Sequence, residues 1–260
     1  MCDDYNTMAI HREDRILRIV LNRSDHLNAI NLEMLHEIAR IFREVKSDSE
    51  VDVITMVGAG TGFCVGIDFD EDSIPEHAEQ NIMAYKAREI WKNILDAEKP
   101  IITGVNGPAI GFGAALALMS DIVIASKKAR IGDANINLGL TADDGLCLIF
   151  PLLAGVNKAK EILLTGDIVD AREGLRIGLF NRVVPSEQLD QTVRETALKL
   201  ASGHQQAIRY TKSAVNRYLK CMLSQVDDIA LNTENIYKGC LNNSIMPEQE
   251  ASRHDFPVSD

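Results

Sequence analysis

The sequence predicts an α/β fold followed by a helical tail. Three observations carry this: short apolar runs of strand type, amphipathic runs of helical period set between them, and an unbroken helical series beyond residue 186. Tyr5–Glu13 and Ile16–Leu21 read as two strands joined at Glu13-Asp14-Arg15, a hairpin. Asn31 can cap a helix running to Lys46, because Leu32, Leu35, Ile38, Ile41, Phe42 and Val45 recur on one face. Val51–Val57 is an apolar strand that stops at Gly58-Ala59-Gly60-Thr61-Gly62. Residues 78–97 read as a helix whose stripe holds Ile82, Tyr85, Ile90, Ile94 and Leu95. The pattern then recurs. Pro100–Val105 is a strand, Asn106-Gly107-Pro108 a turn, Gly111–Met119 a helix of small residues and Asp121–Ala125 another strand. Helical runs over Gly145–Leu153 and Val156–Leu164 follow, and a short strand ends at Val183-Val184 before Pro185.

Composition excludes several function classes. Of the 260 residues 46% are hydrophobic and 25% charged, which is a globular mix rather than that of a disordered acidic chain. The formal net charge of −11 repels phosphate backbones, so no nucleic acid partner is expected. Cys2, Cys64, Cys147, Cys221 and Cys240 are scattered, and neither they nor the six histidines show metal-ligand spacing. Reduced thiols and an N-terminal MCDDYNTMAI without a basic or apolar stretch lead us to expect a cytoplasmic protein. Pro100–Ser120 is free of charge and long enough to span a bilayer, but Asn106, Pro108 and four glycines fit a buried strand, loop and helix better. No membrane association is expected.

The glycine-rich turns suggest chemistry. Gly58-Ala59-Gly60 begins like a dinucleotide fingerprint, but Phe63 stands where a third glycine belongs. Gly111-Phe112-Gly113 fails in the same way at Leu116, and no phosphate-binding GxxxxGK[ST] run exists. What the turns share is a buried strand leading through glycines towards a helix start. Backbone N–H groups there lack internal partners, and two of them can face one oxyanion.

Read in order, several runs resemble the crotonase (enoyl-CoA hydratase/isomerase) superfamily. They are Leu21-Asn22-Arg23 with Leu27-Asn28-Ala29-Ile30-Asn31, Gly62-Phe63-Cys64-Val65-Gly66-Ile67-Asp68-Phe69, Val105-Asn106-Gly107-Pro108-Ala109-Ile110-Gly111, Ser120–Ser126, Asn137-Leu138-Gly139, Leu164-Thr165-Gly166 and Gly178–Pro185. The resemblance implies a spiral of repeated ββα units over residues 1–200 and a helical trimerisation region over 201–260, in a homotrimer or hexamer. It implies an acyl-CoA thioester substrate, with coenzyme A as part of that substrate and no separate cofactor. By motif position the thioester oxygen sits between the backbone N–H groups of Ile67, after Gly66, and Phe112, after Gly111. Coenzyme A contacts are implied at Leu27, Ala29, Val65, Gly66, Asp68 and Phe69, with Gly111 and Asn135 also lining the substrate. The basic side chains Arg209, Lys212, Arg217 and Lys220 lie at helical spacing and are expected near the mouth of the site.

The chain departs from the family where the chemistry is done. Hydratases of this superfamily use two glutamates; Ala115 and Asn135 occupy those positions here, and neither titrates near neutral pH. Two carboxylates appear instead at Asp143 and Asp144, in the turn after Asn137-Leu138-Gly139, where a helix N-cap is the competing role. Asp144, with Glu234 on a late helix, is similar to the catalytic pair of the superfamily's β-diketone hydrolases, whose two histidines are replaced by Phe112 and Asn135. Three functions are therefore expected to compete. The first is an acyl-CoA enzyme of non-standard hydratase/isomerase chemistry that uses Asp143 or Asp144. The second is a cofactor-free C–C hydrolase of a cyclic β-diketone, and the third a catalytically silent binding protein.

Overall fold

The computed structural model describes residues 5–68, 77–142 and 145–241; of residues 77–84 and 224–241 the helical path alone is described. The hairpin forms as the sequence predicts, from β1 (Met8–Glu13) and β2 (Ile16–Leu21) in antiparallel register. Its two-residue turn places Asp14 and Arg15 both at positive φ, 51° and 62°, the mirror-image turn that matches strand twist. Helix α1 (Leu32–Glu44) starts where Asn31 accepts a hydrogen bond from the Met34 N–H.

Strands β3 (Val53–Gly58), β4 (Ile101–Val105), β6 (Ile122–Ser126) and β9 (Arg182–Val184) add in parallel, giving a six-stranded sheet of order β1-β2-β3-β4-β6-β9. A parallel sheet is covered on both faces, which is why β3 and β4 read as continuous apolar runs. Leu17, Ile19 and Leu21 face the main core, with α1 and α2 (His77–Asp96) packed over it. Ile16, Val53, Ile102 and Ile124 face the other way, onto Leu189, Val193 and Ala197 of α7 (Leu189–Ala201).

A second sheet, of three strands, is not visible in the sequence pattern. It joins β5 (Pro108–Ile110), β7 (Arg130–Gly132) and β8 (Ile168–Asp170), with β5 and β7 parallel. Helices α3 (Phe112–Leu118) and α6 (Ala171–Arg176) pack on it, and α4 (Leu146–Ala154) and α5 (Val156–Thr165) pack on each other, α4 also against α3. The adjacent C-terminal ends of β5 and β7 deliver Gly111 and Asp133 side by side. Helix α8 (Gln205–Leu241) ends the described chain and is tied to the core by the Lys212–Asp121 ion pair at 2.7 Å and by Asn216 Nδ2 donating to the Leu95 carbonyl at 3.1 Å. Among the described residues no helix is long and apolar enough to cross a membrane.

Candidate active site

Two backbone turns meet between the sheets. The first runs from Cys64 to Asp68. Cys64 pairs in parallel with Ala109, its N–H donating to the Pro108 carbonyl while its own carbonyl accepts from Ile110. Three residues on, Ile67 pairs with Ile30: the Ile30 N–H donates to Gly66 O at 2.8 Å and Asp68 N–H donates to Ile30 O at 3.0 Å. In a parallel bridge of this kind the middle residue's own N–H points away from its partner. Ile67 N–H accordingly has no backbone acceptor among the described residues.

The second turn is Gly111-Phe112. Gly111 is the N-cap of α3, at φ 53°, and its N–H donates to Gly132 O at 3.0 Å. Phe112 is the first helical residue, and first-turn amides have no carbonyl four residues back to bond. Gly66, at φ 94°, brings the two turns together. A Cβ there would stand 3.0 Å from Ile110 O and 3.6 Å from Phe112 N. Glycine thus keeps open the space flanked by the amides of Ile67 and Phe112.

Polar ties hold the first turn. Arg23 donates from Nη2 to Asp68 Oδ2 at 2.8 Å and from Nη1 to the Ala29 carbonyl. Asn28, fully buried, accepts from the Arg23 N–H and donates to the carbonyls of Ala59 and Gly62 at 2.9 and 3.0 Å. Leu27 and Asn28 both adopt left-handed backbone, at φ 49° and 57°. The expected contact residues Leu27, Ala29, Val65 and Gly66 therefore lie together, but the Asp68 carboxylate and the Ala29 carbonyl are engaged by Arg23.

The Phe112 side chain is buried. Its ring lies 4.7 Å from that of Trp91, centroid to centroid and tilted by 36°. Trp91, the chain's single tryptophan, comes from α2 and is buried. It also lies near Gly145, the N-cap of α4, where an added Cβ would come within 3.7 Å of Trp91 Nε1. Ala115 is buried in α3, and Asn135 is half-buried at the start of the single turn Asn135–Leu138. Cys64 stands at the first turn with its thiol pushed up to about 12 by complete burial, so it carries no nucleophile at neutral pH.

Asp133 was not anticipated from the sequence. It is 1% exposed, and burial raises its carboxyl above the usual range, opposed by a hydrogen bond from the Asn135 N–H. Arg23 carries no functional signal in the sequence beyond its place after Leu21-Asn22, whereas the spacing of Trp91 to Ile94 and Leu95 puts it on the apolar face of α2.

Of the other expected site residues, Asp143, Asp144 and Phe69 lie outside the described residues, as does the side chain of Glu234 on α8. The basic residues of α8 are mostly committed elsewhere. Arg209 pairs with Asp52 at 2.8 Å, Lys212 with Asp121, and Lys220 with Asp96 at 2.7 Å, while Arg217 is exposed. Among the described residues no cluster of His, Cys, Asp or Glu could hold a metal ion.

The sequence profile of the enoyl-CoA hydratase/isomerase family matches residues 11–246. The chain is 33% identical over 219 residues to a short-chain-enoyl-CoA hydratase of Clostridium acetobutylicum, covering 84% of each chain. It is 34% identical over 220 residues to a crotonyl-CoA hydratase of Syntrophomonas wolfei, covering 82% of each. Among solved structures, an enoyl-CoA hydratase/isomerase from Mycobacterium paratuberculosis superposes with a TM-score of 0.84 at 29% identity, over 88% of this chain and 92% of that one.

Proposed function

This chain belongs to the enoyl-CoA hydratase/isomerase family of the crotonase superfamily, and we propose that it acts on an acyl-CoA thioester whose carbonyl oxygen lies between the N–H groups of Ile67 and Phe112. The observation that carries this is that neither the Ile67 nor the Phe112 N–H has a backbone acceptor among the described residues, beside the space left open by Gly66. A thioester carbonyl becomes an enolate oxygen when a proton leaves the α-carbon or a nucleophile adds at the β-carbon. Backbone donors fixed before that charge appears stabilise it without reorganisation, and one such donor is worth about 3 kcal/mol of barrier.

Proton transfer differs from the two-glutamate pattern. Ala115 offers no titratable group, and Asn135 is an amide. The Asp143-Asp144 turn is our candidate for the acid/base role, with Asp144 ahead of Asp143 and Glu234 as an outer partner. Gly145, not an aspartate, holds the N-cap position of α4. Asp144→Asn is expected to lower turnover of the true thioester by about a hundredfold or more with little change in thermal midpoint. Asp→Ala at a mere helix cap would instead cost about 1 kcal/mol of stability and spare the rate. Full rate in both Asn variants would assign the pair a structural role.

The substrate class is tested by titrating the protein with butyryl-CoA, a saturated thioester that binds without turnover. Trp91, packed on Phe112, reports binding through its fluorescence. Saturable quenching or enhancement supports the thioester. Silence with butyryl-CoA, together with turnover of a cyclic β-diketone, would replace this reading with the C–C hydrolase.

A further inference from the structure

Two peptide groups stand in series behind the Ile67 amide. The guanidinium of Arg23 donates from Nη1 to the Ala29 carbonyl. That carbonyl shares a peptide unit with the Ile30 N–H, which donates to Gly66 O at 2.8 Å. Gly66 O in turn shares a peptide unit with the Ile67 N–H. Both peptide bonds are trans, and in a trans peptide the C=O and N–H point in opposite directions. The order is therefore guanidinium, Ala29–Ile30 peptide, Gly66–Ile67 peptide, and then the space kept open by Gly66. Each group donates to the next. The other bond of the bridge, from Asp68 N–H to Ile30 O at 3.0 Å, keeps the two segments in register.

The series starts from a fixed charge. Arg23 Nη2 donates to Asp68 Oδ2 at 2.8 Å, and the two side chains are only 14% and 7% exposed. The backbone of Arg23 is held without its side chain. Its N–H donates to Asn28 Oδ1 at 2.9 Å, and its carbonyl accepts from the N–H groups of His26 and Asn28 at 3.0 and 2.9 Å. We propose that Arg23 is a positioning residue for the oxyanion hole, which fixes the direction of the Ile67 N–H and strengthens it as a donor through the two peptides. The inference rests on the thioester reading of the site. Hydrogen bonds in series polarise one another, and more so away from water. A cation at the head of the series draws electron density towards itself, so the last N–H carries more positive charge where the enolate charge develops. The Phe112 N–H is backed differently: the Gly111 carbonyl in its peptide unit accepts the Ala115 N–H of α3 at 3.0 Å. Of the two donors, Ile67 alone stands at the end of the Arg23 series.

The test is Arg23→Met, an uncharged chain of similar reach. Infrared difference spectra of bound butyryl-CoA, labelled at the thioester carbon, read the polarisation of its carbonyl. The wild-type band is expected below its solution frequency, and Arg23→Met is expected to lose about half of that shift, because one of two donors is affected. Affinity for butyryl-CoA, read by Trp91 fluorescence, is expected to stay within about tenfold of the wild type. A role in packing alone would lower the thermal midpoint and leave the band where it is. Arg23→Met also takes the guanidinium from a buried carboxylate, which endangers the fold. Arg23→Met combined with Asp68→Asn removes both charges, and is expected to give the same band as the single variant. A wild-type band in either folded variant overturns the inference. A wild-type protein that does not bind butyryl-CoA, or binds it with the carbonyl at its solution frequency, overturns the thioester reading and the inference with it.

Discussion

Gly66→Ala is expected to reduce turnover of a CoA thioester by about a thousandfold or more while the chain stays folded. The added methyl would stand 3.6 Å from Phe112 N and 3.0 Å from Ile110 O, on the side where the substrate oxygen must reach both amides. Loss of one such donor costs about a hundred- to a thousandfold, and a methyl between two of them disturbs both. Alanine at φ 94° also strains the backbone by about 1–3 kcal/mol. Such a shift rotates the Ile67 N–H but is small against the stability of an ordinary domain. Steady-state rates with thermal melting check this: a rate within about tenfold of the wild type would remove the Ile67 and Phe112 amides from the chemistry.

Gly113→Ala is expected to have the largest effect on stability. Alanine in a helix interior ordinarily stabilises by about 1 kcal/mol relative to glycine. Here the new Cβ would overlap the Cys64 carbonyl oxygen and stand 2.7 Å from its carbon and 2.8 Å from Cys64 Cβ. None of these atoms belongs to a flexible chain end, so α3 and the 64–68 turn must separate. A loss of about 3 kcal/mol is expected in chemical denaturation. Because the Cys64 carbonyl accepts from Ile110, the separation also moves the turn that carries Phe112. An alanine variant as stable as the wild type would show that the helix and turn are not in close contact.

The longer elements were legible because their burial leaves a period in the sequence. The hairpin, α1, β3, β4 and α3 fall where apolar spacing puts them, with boundaries displaced by one to three residues. The three-residue strands β5, β7 and β8 left no such trace. They are too short to show a period of two, and they exist by pairing segments far apart in sequence, such as Ala109 with Ile131. The basic stripe of α8 was legible as a stripe but not in its direction. Of the expected Arg209, Lys212, Arg217 and Lys220, three turn inward to Asp52, Asp121 and Asp96, with Asn216 beside them on the Leu95 carbonyl, while Arg217 is exposed. Helical spacing alone does not say which way a polar face points.

In the site, the two glycine turns were legible because glycine at positive φ marks a backbone need. Asp133 was not, because an aspartate after Gly132 reads as turn chemistry until its burial is known. The contact of Trp91 with Phe112 joins two helices across the core, which no local pattern encodes.

The role of the Ile67 and Phe112 amides is tested most directly by the carbonyl stretch of a bound thioester. Difference infrared spectroscopy with butyryl-CoA, unlabelled and isotopically labelled at the thioester carbon, isolates that one band in the complex. Two amide donors on the oxygen polarise the carbonyl, so the band is expected at lower frequency than for free butyryl-CoA, and Gly66→Ala is expected to return it towards the free value. A bound thioester whose carbonyl keeps its solution frequency in the wild-type protein would contradict the assignment of Ile67 and Phe112.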